Sequence, residues 1–65
     1  MDEMKLRKTI IPYMNYICHL SQKQVFSNSF YQKRYFQVSI EEALCSMIEE
    51  IMALDSEANE EEVLN

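Results

Sequence analysis

The sequence contains two thiols and one imidazole, the side chains most often found in zinc sites and among nucleophiles: Cys18, Cys45 and His19. Cys18 and His19 are adjacent, and neighbours on a helix point about 100° apart, so the two are poorly placed to converge on one ion or one proton. His19 is the only histidine, so a four-ligand zinc site would need carboxylates to complete it. We therefore predict no metal site and no cofactor, and we interpret both cysteines as reduced thiols with structural roles.

The sequence also lacks the patterns on which enzymes of known types depend. It contains no glycine, and therefore no glycine-rich phosphate loop, and it shows no Ser, His and acid at a suggestive spacing. A chain of 65 residues is too small to enclose a substrate pocket easily. We therefore predict that the protein is not an enzyme.

Paired carboxylates are the most regular charged feature of the sequence. The two pairs lie seven or eight residues apart, which is about 11 to 12 Å along a helix, so they predict a linear acidic ridge. One interpretation is an ordinary solvated surface; the other is a surface that imitates a phosphate backbone and occupies a basic groove on a nucleic-acid-handling protein, as DNA mimics do. The predicted partner-binding residues are Glu41, Glu42, Glu49, Glu50, Asp55 and Glu57.

An alternative binding segment spans residues 23–36, where cations are interleaved with aromatic rings. Cations can hold phosphates while rings stack on bases, so this segment favours direct nucleic-acid binding by a small dimeric transcriptional regulator. A strand followed by a helix here resembles, in architecture only, the start of a ribbon-helix-helix regulator. Only three cations are present and nine acids follow, so we place this hypothesis second. Its candidate contacts are Lys23, Lys33, Arg34, Tyr31 and Tyr35.

The element that must position the acidic ridge is a helix predicted from Ser39 to Leu54. Ser39 and Glu42 have the spacing of a capping box, which predicts that the helix begins there. Apolar residues then recur at alternating intervals of four and three, which predicts a buried stripe. The predicted core or dimer-interface residues are Ile40, Leu44, Met47, Ile48, Ile51 and Met52.

A second helix is predicted from about Pro12 to Gln24, because Pro12 suits a first turn and Tyr13, Tyr16, Ile17 and Leu20 form a second stripe. Residues 27–29 predict a turn, with Asn28 as the residue for a left-handed backbone. Residues 30–38 are rich in aromatic residues and partly alternating, which favours extended chain or one short strand.

Charge and length complete the prediction. Residues 1–39 carry a net charge of +4 and residues 40–65 carry −9. We expect a mainly α domain of two or three helices over residues 1–54, completed by dimerisation because so short a chain buries little surface, and an acidic flexible tail over residues 55–65. The predicted function is that of a small cytoplasmic regulator or inhibitor acting by protein binding, and a third hypothesis is a structural assembly subunit. Neither a signal peptide nor a membrane span is predicted.

Overall fold

The protein is a helical hairpin. The computed structural model describes the backbone of residues 2–64 and the side chains of residues 2–57. Helix α1 spans Glu3–Phe26 and helix α2 spans Phe30–Leu64, with lengths of 24 and 35 residues, and the described residues contain no strand. The prediction of a small, mainly α domain is confirmed. The division into residues 1–54 and a flexible tail stays a prediction.

Helix α1 begins nine residues before the predicted start at Pro12. The side chain of Asp2 caps it by accepting from the Met4 amide at 2.9 Å, and Glu3 places negative charge in the first turn, where the helix dipole favours it. Pro12 therefore lies inside the helix, and the predicted break before it is wrong. The cap and the packing of half-buried Leu6 and Ile10 offset the backbone bond that Pro12 removes, a cost of about 3 kcal/mol.

The connection of three residues reverses the chain without any left-handed backbone. Ser27 is extended, with φ −77° and ψ 135°, and its amide donates to the Gln24 carbonyl at 3.3 Å. Its hydroxyl donates to the Gln32 side chain at 2.9 Å, which ties the connection to the first turn of α2. No residue in the described backbone has a positive φ, so the left-handed turn predicted at Asn28 is wrong.

Helix α2 begins at Phe30, so the predicted strand over residues 30–38 and the predicted helix start at Ser39 are both wrong. The cap is Ser29, whose hydroxyl accepts from the Gln32 amide at 3.4 Å and whose carbonyl accepts from the Lys33 amide at 3.0 Å. Ser39 lies inside the helix, where its hydroxyl donates to the Tyr35 carbonyl at 3.0 Å. Ser29 and Gln32 have the same serine-x-x-glutamine spacing as a capping box.

A single seam of side chains joins the two helices. On α2 it follows the four-three spacing of a helix stripe, and it begins at Phe36 and continues through Ile40, Ala43, Met47, Ile51 and Leu54. On α1 it consists of Leu6, Ile10, Tyr13, Ile17, Leu20 and Gln24. Of the apolar residues described, only Leu20, Ile40 and Ala43 are buried, and no described side chain is completely enclosed.

The face of α2 that contacts α1 is rotated about the helix axis relative to the predicted apolar stripe. Ile40 is buried and Met47 and Ile51 are half-buried, as expected of core positions. Leu44, Ile48 and Met52 are instead exposed, at 39%, 51% and 63% of their surface, so they are not core positions of this chain, and their place in a dimer interface stays a prediction. The small side chain of Ala43 lies at the contact and lets the helices approach closely, which turns the larger residues to one side.

The position of the second helix start can be tested with two serine variants. Ser29→Ala removes a helix cap and should lower the free energy of unfolding by about 1 kcal/mol. Ser39→Ala removes only a hydroxyl bonded back along the helix and exchanges serine for a better helix former, so stability should stay within about 0.5 kcal/mol or rise. Urea unfolding followed by circular dichroism gives both values. The reverse order of effects would place the cap at Ser39.

The position of Pro12 inside α1 also has a measurable consequence. Pro12→Ala supplies an amide that can donate to the Lys8 carbonyl, and Pro12 is exposed, so little packing is lost. The variant should be more stable by roughly 2 kcal/mol. Removing proline from the helix interior restores a backbone hydrogen bond, and this gain is larger than the stability lost because the unfolded chain becomes more flexible. A loss of stability in thermal unfolding would instead support a helix that begins at Pro12.

Candidate protein-binding surfaces

The hairpin has two chemically different sides. In an antiparallel pair of right-handed helices, residues one position after each seam residue face one side, and residues one position before it face the other. The first set is largely apolar and the second largely polar. Both sides are exposed among the residues whose side chains are described.

We call the first set the apolar side. Helix α1 contributes Ile11, Met14, Cys18 and Val25, and helix α2 contributes Leu44, Ile48 and Met52. Ile11 is 55% exposed and Val25 is 73% exposed, and Met4 extends the α1 row at the same interval of seven residues. Sequence reasoning named the α2 members as core or dimer interface but missed those on α1. The seven-residue repeat of Met4, Ile11, Cys18 and Val25 was the available signal.

The opposite side carries an open groove with a volume of about 370 Å³. Hydroxyl groups and one carboxylate dominate its lining, which consists of Tyr13, Tyr16, Tyr35, Ser39, Glu42, Ala43 and Ser46. A groove of this kind can hydrogen-bond a polar group, but it lies open to solvent and does not surround a ligand as small-molecule pockets do.

The structure places the predicted acidic residues on the exposed surface of α2. Glu49 lies on the outer face of the helix, away from α1, and Glu42 lies at the edge of the groove on the polar side. Glu41 turns toward the apolar side and Glu50 toward the polar side. The Glu41 carboxylate accepts from the Gln37 amide nitrogen at 3.4 Å. Asp55 and Glu57 are exposed farther along the helix. We keep the name acidic ridge for Glu41, Glu42, Glu49 and Glu50, which wrap around the outer half of α2.

Tyr13 connects the acidic ridge to the helix seam. Its pKa is raised above the ordinary value of 10.0, first by partial burial and then by a hydrogen bond to the Glu50 carboxylate and the negative charges of Glu50 and Glu49. This contact brings residues far apart in sequence together. The register of the hairpin is fixed by the Gln24 side chain, which donates to Gln37 at 2.9 Å and to the Lys33 carbonyl at 3.2 Å.

The predicted basic and aromatic residues gather at the closed end of the hairpin, which we call the tip. Phe26, Phe30 and Tyr31 expose 77% to 84% of their surface, the highest values among the large apolar residues described. Phe30 and Tyr31 pack edge to face with ring centroids 6.0 Å apart. Lys33 and Arg34 line a depression of about 380 Å³ on the apolar side of the tip. Lys23 and Tyr35 are exposed on the opposite side.

The cysteines and the histidine do not form a site in the described part of the chain. Cys18 and Cys45 are exposed free thiols on different helices. Among the side chains that the structure describes, no three His, Cys, Asp or Glu residues lie close enough to hold a metal ion. No described helix is long and apolar enough to cross a membrane.

The contact between Tyr13 and Glu50 predicts a pH dependence. Because the folded protein holds the Tyr13 proton to higher pH than the unfolded chain does, the stabilisation is complete below the unfolded-state pKa and is lost as the pH rises through the folded-state pKa. Glu50→Gln should lower the Tyr13 pKa toward 10.0, and Glu41→Gln, on the other side of the helix, should not. Ultraviolet titration, with Tyr13→Phe subtracted to isolate this residue, measures the shift. Equal titration curves for the two glutamine variants would contradict the contact.

Neither the sequence nor the structure of this chain matches a known protein family, a curated protein or a solved structure. The surfaces through which the hairpin could act are those that it exposes. Two of them are extensive enough to bind a macromolecule: the apolar side, to which both helices contribute, and the acidic ridge on the outside of α2.

Proposed function

We propose that this protein is a non-enzymatic regulator that acts by binding another protein through the acidic ridge, and that it works as a homodimer. The observation that carries the proposal is the exposure of the ridge: all four glutamates point to solvent, and no cation follows Arg34 in the sequence to neutralise them. The described residues contain one ion pair, between Arg7 and Glu3 on α1, and it involves no ridge residue.

The kind of partner follows from the form of this charge. The two glutamate pairs are separated by about 11 to 12 Å along one helix, so they present an extended band of negative charge rather than a single charged site. A protein whose basic groove normally holds a nucleic-acid backbone is complementary to such a row. Cytoplasmic nucleic-acid-handling proteins are therefore the proposed targets.

The test is to remove the charge while keeping the helix. Replacing Glu41, Glu42, Glu49 and Glu50 together by glutamine keeps helix propensity nearly unchanged, and none of the four caps a helix. Affinity capture from the native host's lysate, at low and at moderate salt, should recover proteins that the variant no longer binds and that moderate salt releases, because exposed charges are screened beyond about 8 to 10 Å.

Two controls make this experiment decisive. Circular dichroism must show that the glutamine variant is as helical as the natural chain. Lys5→Gln with Lys8→Gln alters exposed charge on α1 without touching the ridge, and this variant should capture the same proteins as the natural chain. Undiminished capture by the folded glutamine variant would show that the ridge is only a solvated surface.

Direct nucleic-acid binding is the second candidate, and the tip favours it. No acid occurs between Glu3 and Glu41, so Lys33 and Arg34 stand beside exposed aromatic rings without local negative charge. Binding of this type is expected to weaken with salt and to depend on the rings that stack on bases. A mobility shift with random duplex and single-stranded DNA separates the candidates, since salt-sensitive binding lost in Arg34→Gln would replace the leading proposal. A structural assembly subunit remains the third proposal.

A further inference from the structure

The chain as a whole exposes more surface than a compact protein of its size. The chain exposes 5362 Å² of surface, whereas a compact monomer of its 7.8 kDa mass exposes about 4400 Å². The excess of about 1000 Å² is comparable to the roughly 800 Å² that each partner buries in an interface of standard size. The surface that this elongated chain exposes beyond that of a compact monomer is therefore about as large as one partner's share of an interface, and the apolar side is the exposed face best suited to be covered.

We propose that a second copy of this chain covers the apolar side, with the tip of one hairpin lying against the open end of the other, so that two hairpins form a four-helix bundle. This inference rests on the homodimer of the proposed function and adds its surface and orientation. Glu42, Glu49 and Glu50 of the acidic ridge stay outside the bundle on both subunits because none of them faces the apolar side, whereas Glu41 lies at the edge of that side.

The spacing of the apolar side fits this orientation. When the twofold axis crosses the middle of the hairpin, each helix packs against its own copy in the opposite direction. The α1 row is symmetric about its centre, so Met4 lies opposite Val25 of the partner subunit, and Ile11 lies opposite Cys18 of the partner subunit. On α2, Leu44 lies opposite Ile48 of the partner subunit. The register set by the hydrogen bond from Gln24 to Gln37 places the centre of the α1 row and the centre between Leu44 and Ile48 at nearly the same height in the hairpin.

Charge distinguishes this orientation from the one with both tips at the same end. The tip carries Lys33 and Arg34 with no nearby acid, so placing tip against tip brings like charges together. At the open end, Arg7 is already paired with Glu3, which leaves Asp55 as the unpaired charge on the apolar side of the described residues. The opposed orientation brings Arg34 near Asp55 of the partner subunit.

Sedimentation equilibrium tests the interface. The full chain at micromolar concentration should sediment at twice its mass, and Ile48→Glu, which places a charge in the middle of the apolar side, should raise the dissociation constant at least about tenfold. Ala53→Glu adds the same charge to the same helix on the polar side and should leave the dimer unchanged. Ile48→Ala provides a milder test if the charged variant unfolds, and it too should weaken the dimer. A folded chain that stays monomeric, or an Ile48→Ala variant that dimerises like the natural chain, would overturn the inference.

Charge reversal at the tip tests the orientation by the sign of its effect. Arg34→Glu should weaken the opposed dimer by about two- to fivefold at low salt, and adding Asp55→Lys should restore it. Lys23→Glu makes the same change at the tip on the polar side and should have little effect. A stronger dimer in Arg34→Glu would mean that the tips lie together, contrary to the proposal. Capture by the acidic ridge is scored separately with the four-glutamine variant, so either proposal can fail without the other.

Discussion

The close contact between α1 and α2 along one narrow seam is the constraint on which the rest of the structure depends. Helices of these lengths gain most of their stability from the packing of an apolar face rather than from propensity. Among the apolar residues whose side chains are described, that packing buries only Leu20, Ile40 and Ala43, and it leaves a second row of apolar side chains beside the seam. The seam fixes which residues face α1, and therefore which ones are left for a partner.

The seam also explains why periodicity predicted a buried stripe but not its centre. Ile40, Met47 and Ile51 fit a stripe that includes either Leu44 or Ala43, and hydropathy favours the larger residue. Close packing of two long helices favours the smaller one, because Ala43 admits the neighbouring helix where leucine would hold it away. The error amounts to a modest rotation of the helix. It changes Leu44, Ile48 and Met52 from core into exposed surface.

The helix boundaries show the limit of local signals in a similar way. The serine-x-x-acid-or-amide pattern occurs at Ser29 with Gln32 and at Ser39 with Glu42, and both match the capping box. Packing between the helices decides which serine begins the helix, because α2 must begin near residue 30 for Phe36 and Ile40 to pack against the end of α1. The same requirement carries α1 through Pro12, because the half-buried residues before it lie against the far part of α2. Exposure of the charged residues was predictable, whereas their distribution over the faces of α2 followed only from the direction of the seam.

The fold brings some of the opposite charges of the sequence close together and leaves the others apart. Antiparallel packing brings the basic start of α1, with Lys5, Arg7 and Lys8, to the same end of the molecule as Asp55 and Glu57, so opposite charges share that end. The cations of the tip and the glutamates in the middle of α2 have no such neighbours across the hairpin. Seven helical residues separate Arg34 at the tip from Glu41, the nearest glutamate of the acidic ridge, a rise of roughly 10 Å, which slightly exceeds the Debye length of about 8 Å at physiological salt. The two regions therefore act as separate charged surfaces, one basic and aromatic and the other acidic. Each can be neutralised by a surface of opposite charge on a binding partner or on a second subunit.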